Sequence, residues 1–189
     1  SFATCDRLDV SGEALFLKRL LTETLRVSGS ARFLGRVWSE VAVFEGRGTL
    51  NAPFSLARLV LKPNAEVQSS SKLKVDRMTV NGKISVSAKV SCTDAEVISC
   101  ARSEIFEIFA DRLTVRYKAR ADRPEIASGE FLLTASFADT GSAELEYAQI
   151  GQLFCDSAVI GRGCRIGELI YRDKVEITDG AAVERLSKA

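Results

Sequence analysis

Apolar and polar residues alternate along this chain in short bursts, and the bursts recur. Leu25 and Val27 are two apart, as are Ala31 and Phe33. A period of two marks a strand with one buried face. Gly or Asn separates the paired runs, at Gly12, Gly29, Asn64 and Gly82, where the chain must turn. The stretch Val10-Ser11-Gly12-Glu13-Ala14-Leu15-Phe16 returns seventeen residues later as Val27-Ser28-Gly29-Ser30-Ala31-Arg32-Phe33. Leu8, Val10, Ala14, Phe16 and Leu20 map at the same shift onto Leu25, Val27, Ala31, Phe33 and Val37. Two further steps of seventeen reach Ala42, Gly48, Leu50 and Phe54, then Leu59, Ala65 and Val67.

The next copy, with Met78, Val80, Ile84 and Val86, is displaced by nineteen, which predicts a two-residue insertion around Ser69-Ser70-Ser71. Asp76-Arg77-Met78-Thr79-Val80 comes back thirty-five residues on as Asp111-Arg112-Leu113-Thr114-Val115, two repeats further. Asp6-Arg7-Leu8-Asp9-Val10 lies seventy residues before the first of these, four repeats back. Near the end, Ala158, Ile160, Cys164 and Ile166 map by seventeen onto Val175, Ile177, Ala181 and Val183.

A short strand, a turn and another short strand cannot bury their apolar face alone, but stacked copies can. The pattern therefore predicts one all-β domain over residues 1–189, a parallel β-helix with coils of about seventeen residues. About 11 coils, each rising roughly 4.8 Å, make a rod on the order of 50 Å long. An amphipathic helix is the competing reading for Leu15 to Leu25. Two stretches fit the period poorly. Residues 92–109 suggest a loop or short helix, and residues 120–141 are the least regular, although Phe131, Leu133 and Phe137 follow Leu113, Val115 and Ala119 by eighteen.

Composition narrows the function classes. The 189 residues are 46% hydrophobic and 27% charged with a formal net charge of +1, a balance that argues against nucleic acid as a partner and permits association between copies. No run of eighteen apolar residues is present, and no basic start followed by an apolar block opens the chain. Because the first residue is Ser1 rather than Met, a processed or trimmed start is expected, which leaves room for a lost anchor or tail. The five cysteines, Cys5, Cys92, Cys100, Cys155 and Cys164, are odd in number and irregularly spaced. That pattern suits buried thiols in a reducing cytoplasm better than a disulfide framework.

The sequence carries few groups suited to chemistry. Histidine is absent, which removes the commonest general base and metal ligand. No cysteine pair has zinc spacing, so no metal and no cofactor is expected. Gly161-Arg162-Gly163-Cys164-Arg165-Ile166-Gly167 is glycine-rich but fits neither a dinucleotide fingerprint nor a P-loop, and reads as coil corners. Ser69 to Lys72 matches Ser-x-x-Lys without the companion motifs of that chemistry. Carboxylates such as Glu125, Glu130 and Asp139 are scattered, whereas β-helix hydrolases need them gathered on one face. No catalytic residue is expected.

The stretch from Asp156 to Asp173, with its Gly-x-Gly-Cys-x-Ile-Gly element followed by Tyr171, resembles the end of the bactofilins, bacterial polymer-forming cytoskeletal proteins. The Val-Ser-Gly-Ser-Ala and Thr-Val-Asn-Gly-Lys-Ile repeats upstream are similar to that family's coils. The resemblance implies a right-handed parallel β-helix that builds nonpolar, nucleotide-independent filaments by end-to-end contact. It also implies a cytoplasmic, cytoskeletal scaffold with itself as main partner, and with membrane or cell-wall-associated proteins as further partners. The stretch 120–141 departs from the family pattern, and the flexible tails usual there are nearly lacking.

A β-helix that polymerises must expose coil edges at its ends. The first repeat begins by Leu8 and Val10, and the last runs from Val175 to Val183. Phe2, Leu8 and Val10 are therefore the expected contacts at one end, with Val175, Ile177, Val183 and Leu186 at the other. The alternative from a different class is a β-helix that binds or hydrolyses a carbohydrate along its flank.

Overall fold

Strict alternation along Arg19–Val27 breaks once. Leu20 and Thr22 point inward, Glu23 points out, and Leu25 and Val27 point inward again. Two polar-side residues in succession bend the strand, so one nine-residue segment supplies two faces joined at a corner. A short strand, Ser30–Phe33, supplies a third face. In this computed structural model, which describes residues 2–99, 101–118, 126 and 129–189, the chain repeats that unit as a parallel β-solenoid of about ten turns.

The first coils alternate long and short strands: β1 (Phe2–Val10), β2 (Glu13–Phe16), β3 (Arg19–Val27), β4 (Ser30–Phe33), β5 (Val37–Phe44), β6 (Arg47–Leu50), β7 (Phe54–Leu61), β8 (Glu66–Ser69) and β9 (Leu73–Val80). Later the short and long strands merge into β10 (Lys83–Ser99), β11 (Ser103–Tyr117), β12 (Leu133–Leu145), β13 (Ala148–Ile160) and β14 (Arg165–Ile177), and β15 (Ala182–Lys188) follows. Every pairing is parallel, in the order β1-β3-β5-β7-β9-β10-β11-β12-β13-β14-β15, while β2, β4, β6 and β8 form the third face and join at β10. No described residue is helical, and Leu15 to Leu25 runs from β2 through a corner at Leu17-Lys18 into β3.

Buried columns run the length of the solenoid. One contains Leu8, Leu25, Ala42, Leu59, Met78, Ala95, Leu113, Ala143, Ala158 and Val175, stacked coil on coil. Phe33 and Phe54 meet edge to face at 5.2 Å, and Phe33 stacks on Phe16 at 4.8 Å. At the corner between the first two faces, the inward Thr22 hydroxyl lies 3.1 Å from the Thr24 carbonyl and 3.2 Å from that of Asp6. Ser39 repeats this at Val41 and Glu23 one coil later. These hydroxyls satisfy carbonyls that the bend takes out of the ladder.

The coil length of seventeen holds from β1 to β7, and three details differ from the sequence expectation. The two-residue insertion lies between Leu61 and Glu66 rather than at the serine run, because Gly48 already pairs with Val67 and Leu50 with Ser69. Residues 92–99 and 103–109 are strand, within β10 and β11, rather than helix, and Cys100 lies outside the described residues. Leu133 sits beside Ser103, thirty residues on, so the shift of eighteen does not hold. Within 120–141, the described part from Leu133 is an ordinary strand, while Ala119 to Glu125 lie outside the described residues.

Candidate functional site

Three surfaces of the solenoid carry functional potential: its two end coils and the grooves along the outside. Strand β1 pairs with β3 alone, leaving its other edge without a partner among the described residues. At the opposite end, β15 pairs only with β14, and Lys174–Ile177 of β14 pair only with β13. Leu8 and Val10 head two inward columns, and Val175 and Ile177 end the same two. Val183 ends the column that Phe16 begins, and Leu186 ends the one that Ala3 begins. Phe2 differs from its companions: it is 68% exposed and stacks on the outward Arg19. Ile177 and Leu186 are also exposed, while Leu8, Val175 and Val183 are half-buried.

Outside, side chains that point away from the core form columns with grooves between them. A groove of about 790 Å³ follows the corner of the first coils, with Leu21 and Trp38 on one wall and Asp6, Glu23 and Glu40 on the other. A second, of about 670 Å³, follows the same corner in later coils and is lined by Phe109, Phe154, Asp111, Asp139, Asp156 and Arg172. Folding thus gathers three aspartates that are far apart in sequence; Glu125 lies outside the described residues. Phe109, Phe137 and Phe154 form an outward ladder with ring centroids 5.5 and 5.7 Å apart, and the Lys89 ammonium stands 3.3 Å from the centre of the Phe109 ring. The ladder was legible only once the strand pairing was known, because thirty residues separate Phe137 from Glu107, its neighbour on the preceding coil.

Cys155 and Cys164 are buried, Cys92 is half-buried and Cys5 is exposed. Burial pushes the Cys92 thiol up to about 12, with Asp94 and Asp111 adding to the effect. Burial likewise raises Cys155 and Cys164 to about 11. A thiol held protonated is a poor nucleophile and a poor metal ligand. Among the described residues no group of three or more His, Cys, Asp or Glu is placed to hold a metal ion. Ser69 is buried, and its hydroxyl lies 2.8 Å from the Ser71 carbonyl and 3.3 Å from that of Leu50. It secures a corner. Gly163 has φ of 69° and packs on the Tyr147 ring, over which Arg162 lies at 5.4 Å. The glycine-rich stretch is thus a turn at Gly161–Cys164 between β13 and β14, with Arg165–Gly167 already in β14.

No protein-family model matches this chain, and no curated protein matches it. Among solved structures, the C-terminal domain of a tapirin from Caldicellulosiruptor hydrothermalis superposes with a TM-score of 0.67 at 10% identity. The match covers 99% of this chain and 56% of that domain, so the chain spans little more than half of its neighbour's length. At this identity the likeness concerns the fold.

Proposed function

We propose that this solenoid is a structural scaffold that polymerises by stacking its end coils, as a bactofilin-like cytoskeletal element of the cytoplasm, without cofactor, nucleotide or catalysis. The observation that carries the reading is the matched pair of open edges. Each inward column that ends at Val175, Ile177, Val183 or Leu186 begins at the other end with Leu8, Val10, Phe16 or Ala3. A second copy set on the edge continues the backbone ladder and buries half-exposed apolar side chains at about 25 cal/mol per Å². Phe2, outward on β1, contributes at the rim. Membrane or cell-wall-associated proteins are further partners under the same reading.

Negative-stain microscopy of the purified chain without nucleotide tests it. Filaments are expected at moderate salt. A monodisperse monomer at all concentrations overturns the proposal.

The Phe109–Phe137–Phe154 ladder beside three aspartates favours one other reading, a flank that binds or hydrolyses a carbohydrate. Flat aromatic faces with polar groups at their rim suit a sugar chain. Co-sedimentation with insoluble polysaccharides, lost in Phe154→Ala, would establish it.

A further inference from the structure

The first face carries three parallel columns on its outer side over the early coils. One column holds Arg19, Arg36 and, past Pro53, Lys72; the middle one runs Thr4, Leu21, Trp38, Ser55 and Lys74; and the third holds Asp6, Glu23, Glu40 and, past Ala57, Asp76. Adjacent columns stand two residues apart on each strand, so about 13 Å separates basic from acidic, with the middle column between them. Coils β3 and β5 show the arrangement in full, as Arg19-Leu21-Glu23 and Arg36-Trp38-Glu40. Leu21 is 48% exposed. Arg36 leans over the Trp38 ring at 5.6 Å.

These charges differ from those on the other two faces. There, Arg26 pairs with Glu45, Lys83 with Glu66, Arg116 with Glu144, and Asp94 with both Arg77 and Arg112. Among the described residues, none of Arg19, Arg36, Lys72, Asp6, Glu23 and Glu40 makes a salt bridge. Opposite charges held 13 Å apart across an apolar strip cannot neutralise each other within one copy. They can do so across two.

We propose that this face is a lateral contact between two copies of the chain, set face to face with their solenoid axes parallel. The symmetry follows from the columns. With axes parallel, the twofold axis runs along the solenoid and exchanges the two sides of the stripe. Each basic column then lies on the other copy's acidic column, and Leu21 and Trp38 meet their own counterparts at the centre. With axes antiparallel the twofold lies across the stripe, and like charges meet. Charge pattern therefore selects the parallel arrangement and disfavours the other.

From β1 to β9 this part of the face spans about five coils, roughly 24 Å by 17 Å, or about 400 Å² per copy, about half of a standard interface, with the three-column pattern complete on the two central coils β3 and β5. Two isolated copies pair weakly, and copies held in register along a filament pair through many such contacts at once. The contact itself does not require end stacking, so the two can fail separately.

Trp38 is the only tryptophan and sits at the proposed centre. The experiment uses the full chain carrying Leu8→Arg and Val183→Arg, one block at each end, to suppress end stacking. As protein concentration rises at low salt, Trp38 emission should move to the blue and acrylamide quenching should fall; high salt should reverse both. Arg19→Glu/Arg36→Glu and Glu23→Arg/Glu40→Arg, each checked for an unchanged circular dichroism spectrum, should each weaken pairing by about tenfold or more. Mixing the two variants should restore it, because over β3 and β5 one stripe is then acidic on both sides and the other basic on both. In Leu21→Cys/Cys5→Ser, mild oxidation should bridge position 21 of one copy to position 21 of the next. Concentration-independent Trp38 emission, unchanged pairing in the reversal variants, or no restoration on mixing overturns the proposal. So does Trp38 protection by an oligo-arginine peptide without self-pairing, which would assign the groove to a basic ligand. Filaments that persist as single strands would sink the lateral contact alone; side-by-side pairs without filaments would sink end stacking alone.

Discussion

The ring of Phe44 packs on Gly48 so tightly that a Cβ at Gly48 would stand 2.5 Å from the phenyl Cε1. One coil earlier the same two positions hold Val27 and Ala31, paired in register with them. The larger residue in one column is thus matched by the smaller in the next, as a core at native density requires. Gly48→Ala should cost about 1–3 kcal/mol through overpacking, read as a lower midpoint in thermal or denaturant unfolding. Phe44→Val/Gly48→Ala recreates the pair of the preceding coil and should recover most of that loss. Gly12→Ala, with nothing within 4 Å of the added carbon, is the control and should be near neutral.

The buried thiols set an alkaline limit. A thiol ordinarily ionises near 9.0, whereas Cys155 and Cys164 do so near 11 in the folded chain because burial disfavours the thiolate. Above pH 9 the unfolded chain therefore holds fewer protons than the folded one, and stability falls as pH rises. The contribution is complete below pH 9 and is lost as pH climbs through about 11. Unfolding midpoints measured from pH 7 to 11 should decline less steeply in Cys155→Ala and Cys164→Ala than in the parent. A slope identical to the parent's would show that these thiols do not carry the effect.

Much of this fold is legible in the sequence because each coil repeats its inward pairs. Leu8, Leu25, Ala42 and Leu59 lie in one column as the seventeen-residue shift predicts, and both Asp-Arg-x-Thr-Val copies fall two coils apart. What fails is phase. Alternation has a period of two, so every even displacement maps apolar onto apolar. A shift of seventeen from Leu50 lands on the apolar Val67, although Leu50 pairs with Ser69. The shift of eighteen from Leu113 to Phe131 looks equally sound, yet Leu113 pairs with Ala143. The outer columns were illegible for a related reason. Arg19, Leu21 and Glu23 read as ordinary outward positions until the stacking of coils repeats them as a stripe.

The true place of the insertion can be checked. Leu61 and Glu66 are joined through Lys62, Pro63, Asn64 and Ala65, where the preceding coils use two residues, as at Glu45-Gly46. The Ala65 amide donates to the Lys62 carbonyl at 2.9 Å and closes the extra turn. Deleting Pro63 and Asn64 together should leave a folded solenoid with the register of Gly48 on Val67 retained. Deleting Pro63 alone would offset the register by one residue and turn buried side chains outward. Hydrogen exchange at Val67 and Ile84 should stay protected in the first variant and become fast in the second. Protection lost in both would mean that the longer turn is itself required.

The proposed end stacking has two geometries that two variants tell apart. If unlike ends meet, Val175 comes to rest on Leu8 and Ile177 on Val10, and the parallel ladder continues across the junction. One kind of contact then builds the whole filament, so Leu8→Arg and Val183→Arg should each yield monomers. If like ends meet, as the nonpolar filaments of the bactofilins imply, there are two kinds of contact, each isologous. Either variant alone then removes one contact and leaves the other, and the product is a dimer. An arginine placed among half-buried apolar residues at a coil edge would have to give up its hydration on stacking, so each block should be close to complete. Sedimentation velocity on the two variants separates the cases. Monomers in both indicate unlike ends, dimers in both indicate like ends, and filaments that survive both remove Leu8 and Val183 from the contact.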